Sequence, residues 1–187
     1  MFIQTESTPN PNTLKFLPGR EVMGDGAVAD FPDPESAVRS PLAGALFEIP
    51  EVSRVFFGSD FISVTKSDAD WQHLKPAVLA AIMDHFTRDL PLIAGDHADD
   101  DDDAMLGDGD PEIVAQIREL LDTRVRPAVA SDGGDIIFRG FDGGSGIVYL
   151  RLRGSCAGCP SSTMTLKHGI ENMLRHYIPE VNAVEAV

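Results

Sequence analysis

A chain of 187 residues with a hydrophobic fraction of 43% carries enough apolar side chain for one large or two small cored domains. Its formal net charge of −15, with no region in basic excess, argues against nucleic acid as a partner. No apolar stretch is long enough to span a bilayer, and residues 1–6 resemble neither a signal peptide nor a transit peptide, so we expect a cytoplasmic protein without membrane contact.

In chain order, Phe2–Thr5 and Thr13–Leu17 are short extended candidates, joined by Ser7-Thr8-Pro9-Asn10-Pro11-Asn12, whose prolines and asparagines break any helix. Ser40-Pro41 reads as an N-cap followed by a first-turn proline, with Leu42, Ala45 and Leu46 on one face of a short helix that Pro50 ends. Val52–Phe57 and Phe61–Lys66 flank Gly58-Ser59-Asp60 as the arms of a hairpin. Asp70 caps a helix that buries Leu74, Val78, Ile82, His85 and Phe86 at helical spacing. Residues 1–92 therefore form a small α+β domain. Its His73 and His85 stand about 18 Å apart along one helix and cannot share an ion.

Residues 93–110 read as an acidic flexible linker. Residues 96–112 carry nine acids and no Lys or Arg, and a like-charged run stays solvated. The aspartate run lacks the alternating ligands, Gly turn and closing Glu of a calcium-binding loop.

Residues 111–187 form a second α+β domain, in α-β-β-α-β order. Asp110-Pro111-Glu112 is a strong helix start, with Ile113, Ile117, Leu120 and Leu121 as its buried stripe. That helix continues or ends at Pro127, and Ser131-Asp132-Gly133-Gly134-Asp135 turns the chain into the strand Ile136–Arg139. Residues 141–146 are a hairpin tip. Beyond it Val148, Leu150 and Leu152 face one way and Tyr149, Arg151 and Arg153 the other. A closing helix buries Leu166, Ile170, Met173, Leu174 and Tyr177, and residues 181–187 hold a last strand.

Between that strand and that helix lies Gly154-Ser155-Cys156-Ala157-Gly158-Cys159-Pro160, with both cysteines of the chain. Pro160 as the first helical residue puts Cys159 at the positive end of a helix, where thiolate is favoured over thiol. Arg151, Arg153 and Lys167 are close enough in sequence to add positive charge. Small residues around the sulfurs leave room for a ligand. Two buried core cysteines are the plainest alternative, a redox dithiol the next, a zinc site the third. Only 28 residues follow Cys159, too few to complete a thioredoxin-like sheet. His168 and His176 lie about 12 Å apart on one helix, so one chain cannot close a Cys2His2 zinc site. Zinc and iron–sulfur clusters both commonly take four thiolates, which two chains about a two-fold axis supply.

Val125-Arg126-Pro127, Ser131–Asp135 and Gly154–Leu166 closely resemble the C-terminal domain of NifU, the module of Nfu-type iron–sulfur proteins. Thr8–Asn12, Ser40–Ala43 and Phe61–Lys66 with Trp71 resemble the N-terminal domain that accompanies it. The resemblance implies a non-enzymatic scaffold or carrier that binds a [4Fe–4S] cluster through Cys156 and Cys159 of each of two subunits. It further implies receipt of the cluster from assembly machinery and transfer to apo iron–sulfur proteins by a cluster-loaded homodimer. The lack of a transit peptide favours a bacterial cytoplasmic form; a mitochondrial matrix location follows if such a peptide has been removed. The alternatives are a dithiol oxidoreductase and a zinc-bridged structural dimer.

Overall fold

The computed structural model describes residues 1–24, 27–94, 107–154 and 160–187, with only the backbone of residues 160–162. The chain divides into two compact units, Met1–Asp100 and Asp101–Val187. The linker expected over residues 93–110 falls mostly outside the described residues. Both units combine helices with a sheet, the α+β class expected.

In the first unit, β1 (Gln4–Ser7), β2 (Thr13–Leu17), β3 (Ala29–Phe31), β4 (Val52–Phe57) and β5 (Ile62–Lys66) form one antiparallel sheet in the order β1-β2-β5-β4-β3. Register sorts its two faces. Phe16, Ile62, Phe57 and Ala29 line up across four strands and join the core with α1 (Pro41–Phe47) and α2 (Trp71–Thr87). One residue along, Lys15, Ser63 and Phe56 share the opposite face, where the Lys15 ammonium lies 4.6 Å over the Phe61 ring. Sequence periodicity missed β3 and the 3-10 turn Ser36–Arg39, because three residues are too short to alternate visibly. Asp30 of β3 is held by an ion pair with Arg54 of β4, bonded through both carboxylate oxygens.

Helix starts follow their caps. The Ser40 hydroxyl accepts from the Ala43 N–H at 3.1 Å, and the Asp70 carboxylate from the Gln72 N–H at 3.1 Å. Ala43 rather than Ala45 is buried beside Leu42 and Leu46. The Thr8–Asn12 segment is the rigid connection expected. Asn10 is buried and its Oδ1 accepts from the Asn12 N–H at 3.0 Å, while the Trp71 indole N–H donates to the Pro11 carbonyl at 3.3 Å.

His85, near the end of α2, is 3% exposed and its Nε2 has no hydrogen-bond partner. Burial lowers its pKa below the ordinary value, against the raising effects of Asp84 and a backbone hydrogen bond with Leu90. The unfolded chain then binds the proton more tightly, so this contribution is complete above about pH 6.5 and is lost as pH falls through the depressed folded pKa. We expect the thermal midpoint to fall on acidification below that pH, and His85→Leu to flatten the fall. An unchanged slope in the variant assigns the acid sensitivity to other groups.

In the second unit, α3 (Pro111–Leu120) runs through a π turn (Leu121–Val125) into α4 (Arg126–Ser131). Ile117, Leu121, Val125 and Val129 are buried at intervals of four. Each such step overshoots a full α-helical turn by about 40°, and one wider turn takes up the drift. The Arg126 N–H accordingly bonds the Leu121 carbonyl, and the wide turn precedes Pro127, whose ring would crowd a regular helix.

The sheet has the order β6-β7-β8, with β6 (Gly134–Asp142) antiparallel to β7 (Ile147–Gly154), and β8 (Ala183–Ala186) parallel to β7. The crossover is α5 (Pro160–Tyr177), giving the α-β-β-α-β order once α3 and α4 count as one bent helix. Ile170 and Leu174 are buried by it as expected, but Tyr177 is exposed, with the Arg124 guanidinium 5.1 Å from its ring. Asp142 closes the hairpin by accepting from the Gly144 N–H at 2.9 Å, which holds its carboxyl below the usual range.

Gly146 has φ +72°, and a Cβ there would lie 2.6 Å from the Glu180 carbonyl and against the Asn182 side chain. Its carbonyl also accepts the Asn182 N–H at 2.7 Å, which leads the chain into β8. Gly146→Ala should therefore cost about 1–3 kcal/mol, read as a lowered thermal midpoint. A change under about 0.5 kcal/mol shows that the turn shifts freely.

Candidate metal centre

The strand-to-helix transition expected around the dithiol is present: β7 ends at Gly154 and α5 begins at Pro160. Cys156 and Cys159 themselves, with residues 155–159, lie outside the described residues. What the structure builds is the frame on either side. Covalent geometry keeps the Cα of Cys156 within about 7 Å of that of Gly154, and Cys159 one peptide unit from the start of α5.

Gly154 has φ +65°, a left-handed conformation that a side chain disfavours, and it faces Gly134 directly across the sheet. The next pair inward is Asp135 and Arg153. Arg153, expected on the face opposite Val148, Leu150 and Leu152, is 7% exposed and Asp135 is 3% exposed. Alternation held for Val148, Leu150 and Arg151, then failed at the strand end. There both Asp135 and Arg153 are buried, and Arg126 of α4 reaches Asp135.

The Arg126–Asp135 pair is bidentate. Nε donates to Oδ1 at 2.9 Å and Nη2 to Oδ2 at 3.0 Å, while Nη1 donates to the more exposed Asp122 carboxylate at 3.5 Å. The hydrogen bonds to Asp135 raise the Arg126 pKa further, so this charge is permanent. Sequence reading had placed Asp135 in a turn and had not paired it with Arg126. The only signal was two opposite charges nine residues apart with a glycine pair between.

Of the other expected cations, Arg151 is exposed and Lys167 half-buried. The positive end of α5 begins one residue after Cys159 in sequence, and its first turn carries no acidic residue to offset that end. His73, His168 and His176 are exposed, and His85 is in the core of the other unit. Among the described residues no group of three or more His, Cys, Asp or Glu could hold a metal ion. No helix of the described residues is long and apolar enough to cross a membrane.

This frame suits an anionic ligand on soft donors: two cysteines next to a helix start in sequence, a glycine at the strand end, and the Arg126–Asp135 pair one register step from it. Residues 3–89 match the family described as the scaffold protein Nfu/NifU N-terminal domain, and residues 117–185 match the NifU-like domain. The chain is 56% identical over 186 residues to NifU-like protein 4, mitochondrial, of Arabidopsis thaliana, covering 99% of this chain and 65% of that protein. It is 54% identical over 194 residues to the NFU1 iron-sulfur cluster scaffold homolog, mitochondrial, of Homo sapiens, covering all of this chain and 72% of that protein. A solution NMR structure of a NifU-like protein from Saccharomyces cerevisiae covers 51% of this chain and 87% of its own, at 27% identity and a TM-score of 0.45. The chain thus spans about two-thirds of the length of these curated relatives. Both relatives are named as mitochondrial, which gives the bacterial cytoplasmic expectation no support.

Proposed function

This chain belongs to the Nfu/NifU-like family of iron–sulfur cluster scaffolds, and we propose from that membership that it carries a [4Fe–4S] cluster as cargo. Cys156 and Cys159 of each of two subunits supply the four thiolates, so the cluster joins a homodimer. The observation that carries this reading is that the chain's two cysteines fall between the end of β7 and the start of α5. With only two thiols, one chain makes half a ligand set.

Half a set per chain suits delivery. A recipient thiol binds an iron as one donor Fe–S bond breaks, and its proton passes to the released cysteine, so charge and electrons balance. Repetition moves the cluster without oxidising or reducing either protein. The same exchange loads the carrier from upstream machinery. No nucleophile–base pair is required, and we read the chain as a carrier and not an enzyme. The names of its relatives, both mitochondrial, support the alternative of a mitochondrial matrix protein whose transit peptide has been removed.

The test is anaerobic reconstitution with iron and sulfide, then metal and sulfide analysis and mass determination in solution. We expect equal iron and sulfide, one cluster per two chains and a shift to dimer. Zinc retained without sulfide, or a monomer that only cycles a disulfide, overturns the reading in favour of a zinc-bridged dimer or a dithiol oxidoreductase.

A further inference from the structure

We propose that Arg126 and Asp135, with Arg153 beside them, are positioning residues that hold the entry to the dithiol segment and set how long the cluster is retained. The inference rests on the scaffold reading above. Four observations carry it. Arg126 grips Asp135 with two hydrogen bonds, at 2.9 and 3.0 Å, and Asp135 is 3% exposed. Asp135 stands opposite Arg153 in the β6–β7 register, and the next pair is Gly134 with Gly154, where β7 ends. Arg153 is buried and only three residues from Cys156. The π turn, through the Arg126 N–H bond to Leu121, sets Arg126 at the head of α4.

An ion pair so placed is a poor choice for stability alone, since apolar side chains of like volume do as well or better. Its position explains it. The grip ties a helix to the strand immediately before the thiols, and left-handed Gly154 offers no stiffness of its own.

The full chain is loaded with iron and sulfide and challenged with an iron chelator, and loss of visible absorbance is timed for wild type, Arg126→Gln and Arg126→Lys. Partners behind metal ligands typically change affinity about 10–100-fold, so Arg126→Gln should lose its cluster at least about tenfold faster. Its visible circular dichroism, which reports the ligand frame around the cluster, should change while the far-UV spectrum does not. Arg126→Lys keeps the charge without the bidentate fork and should fall between the two. A folded Arg126→Gln protein that releases at the wild-type rate with an unaltered visible spectrum overturns the inference. If that variant does not fold, Arg126→Lys releasing at the wild-type rate does so. Wild-type protein that takes up no sulfide overturns the scaffold reading instead, a result visible before any variant is compared.

Discussion

Cys156→Ala, or Cys159→Ala, is expected to abolish cluster loading while both units stay folded. Each substitution removes one thiolate per chain and therefore two from the proposed four-thiolate dimer. If partners that merely support a metal ligand are worth about 10–100-fold in affinity, losing half of the ligands themselves exceeds that. Among the described residues the core of the second unit is already built by Ile117, Leu121, Val125, Val129, Ile136, Phe141, Val148, Leu150, Ile170 and Leu174. Iron content after anaerobic reconstitution should fall to background, with the far-UV spectrum and thermal midpoint unchanged. A variant that retains a full cluster per dimer removes that cysteine from the ligand set and with it the bridged reading.

The second large effect is on stability. Phe57→Ala should destabilise the first unit by about 3–5 kcal/mol. Phe57 is fully buried, lies between Ala29 and Ile62 in the sheet register, and meets the Phe31 ring edge-on at 5.0 Å. Truncation removes the transfer free energy of the ring and leaves a cavity that rigid β4, flanked on both sides, cannot collapse. Domains are commonly stable by only about 5–15 kcal/mol, so the loss is a large share of the whole. Trp71, the single tryptophan, caps the same unit: it packs edge-on against Phe16 with ring centroids 6.3 Å apart. Its fluorescence in a urea titration reports this unit. A loss under about 1 kcal/mol means that the neighbours repack into the space.

The two effects separate the tasks of the chain. Phe57 sits in an apolar core whose worth is read as stability, while the thiols are proposed to serve a cargo. The Arg126–Asp135 pair stands between these cases, with Asp135 buried like a core residue yet charged like part of a site.

Much of this was legible from residues alone, because the signals are local. A serine or aspartate before a helix start bonds an N–H two or three residues on, and Ser40, Asp70 and Asp110 all do so. Period-two and period-3.6 patterns depend only on backbone geometry, so β4, β5, β7, α2 and α5 lay near their expected bounds. The pairing of a C-x-x-C spacing with Pro160 likewise named the candidate site and the ends of the elements around it.

The remainder depended on which distant segments meet. The edge strand β3 exists because Asp30 reaches Arg54, 24 residues on, and Ala29 pairs with Phe57. The π turn answers a drift in phase that matters only when the four residues 117, 121, 125 and 129 must share one core. Arg153 follows the alternating pattern in sequence yet is buried, paired across the sheet with Asp135, which Arg126 of α4 reaches. Caps and periodicities are set by neighbours along the chain. Strand order, burial of charge and the grip on Asp135 are set by loop closure, and its outcome is decided by the packing of the whole unit.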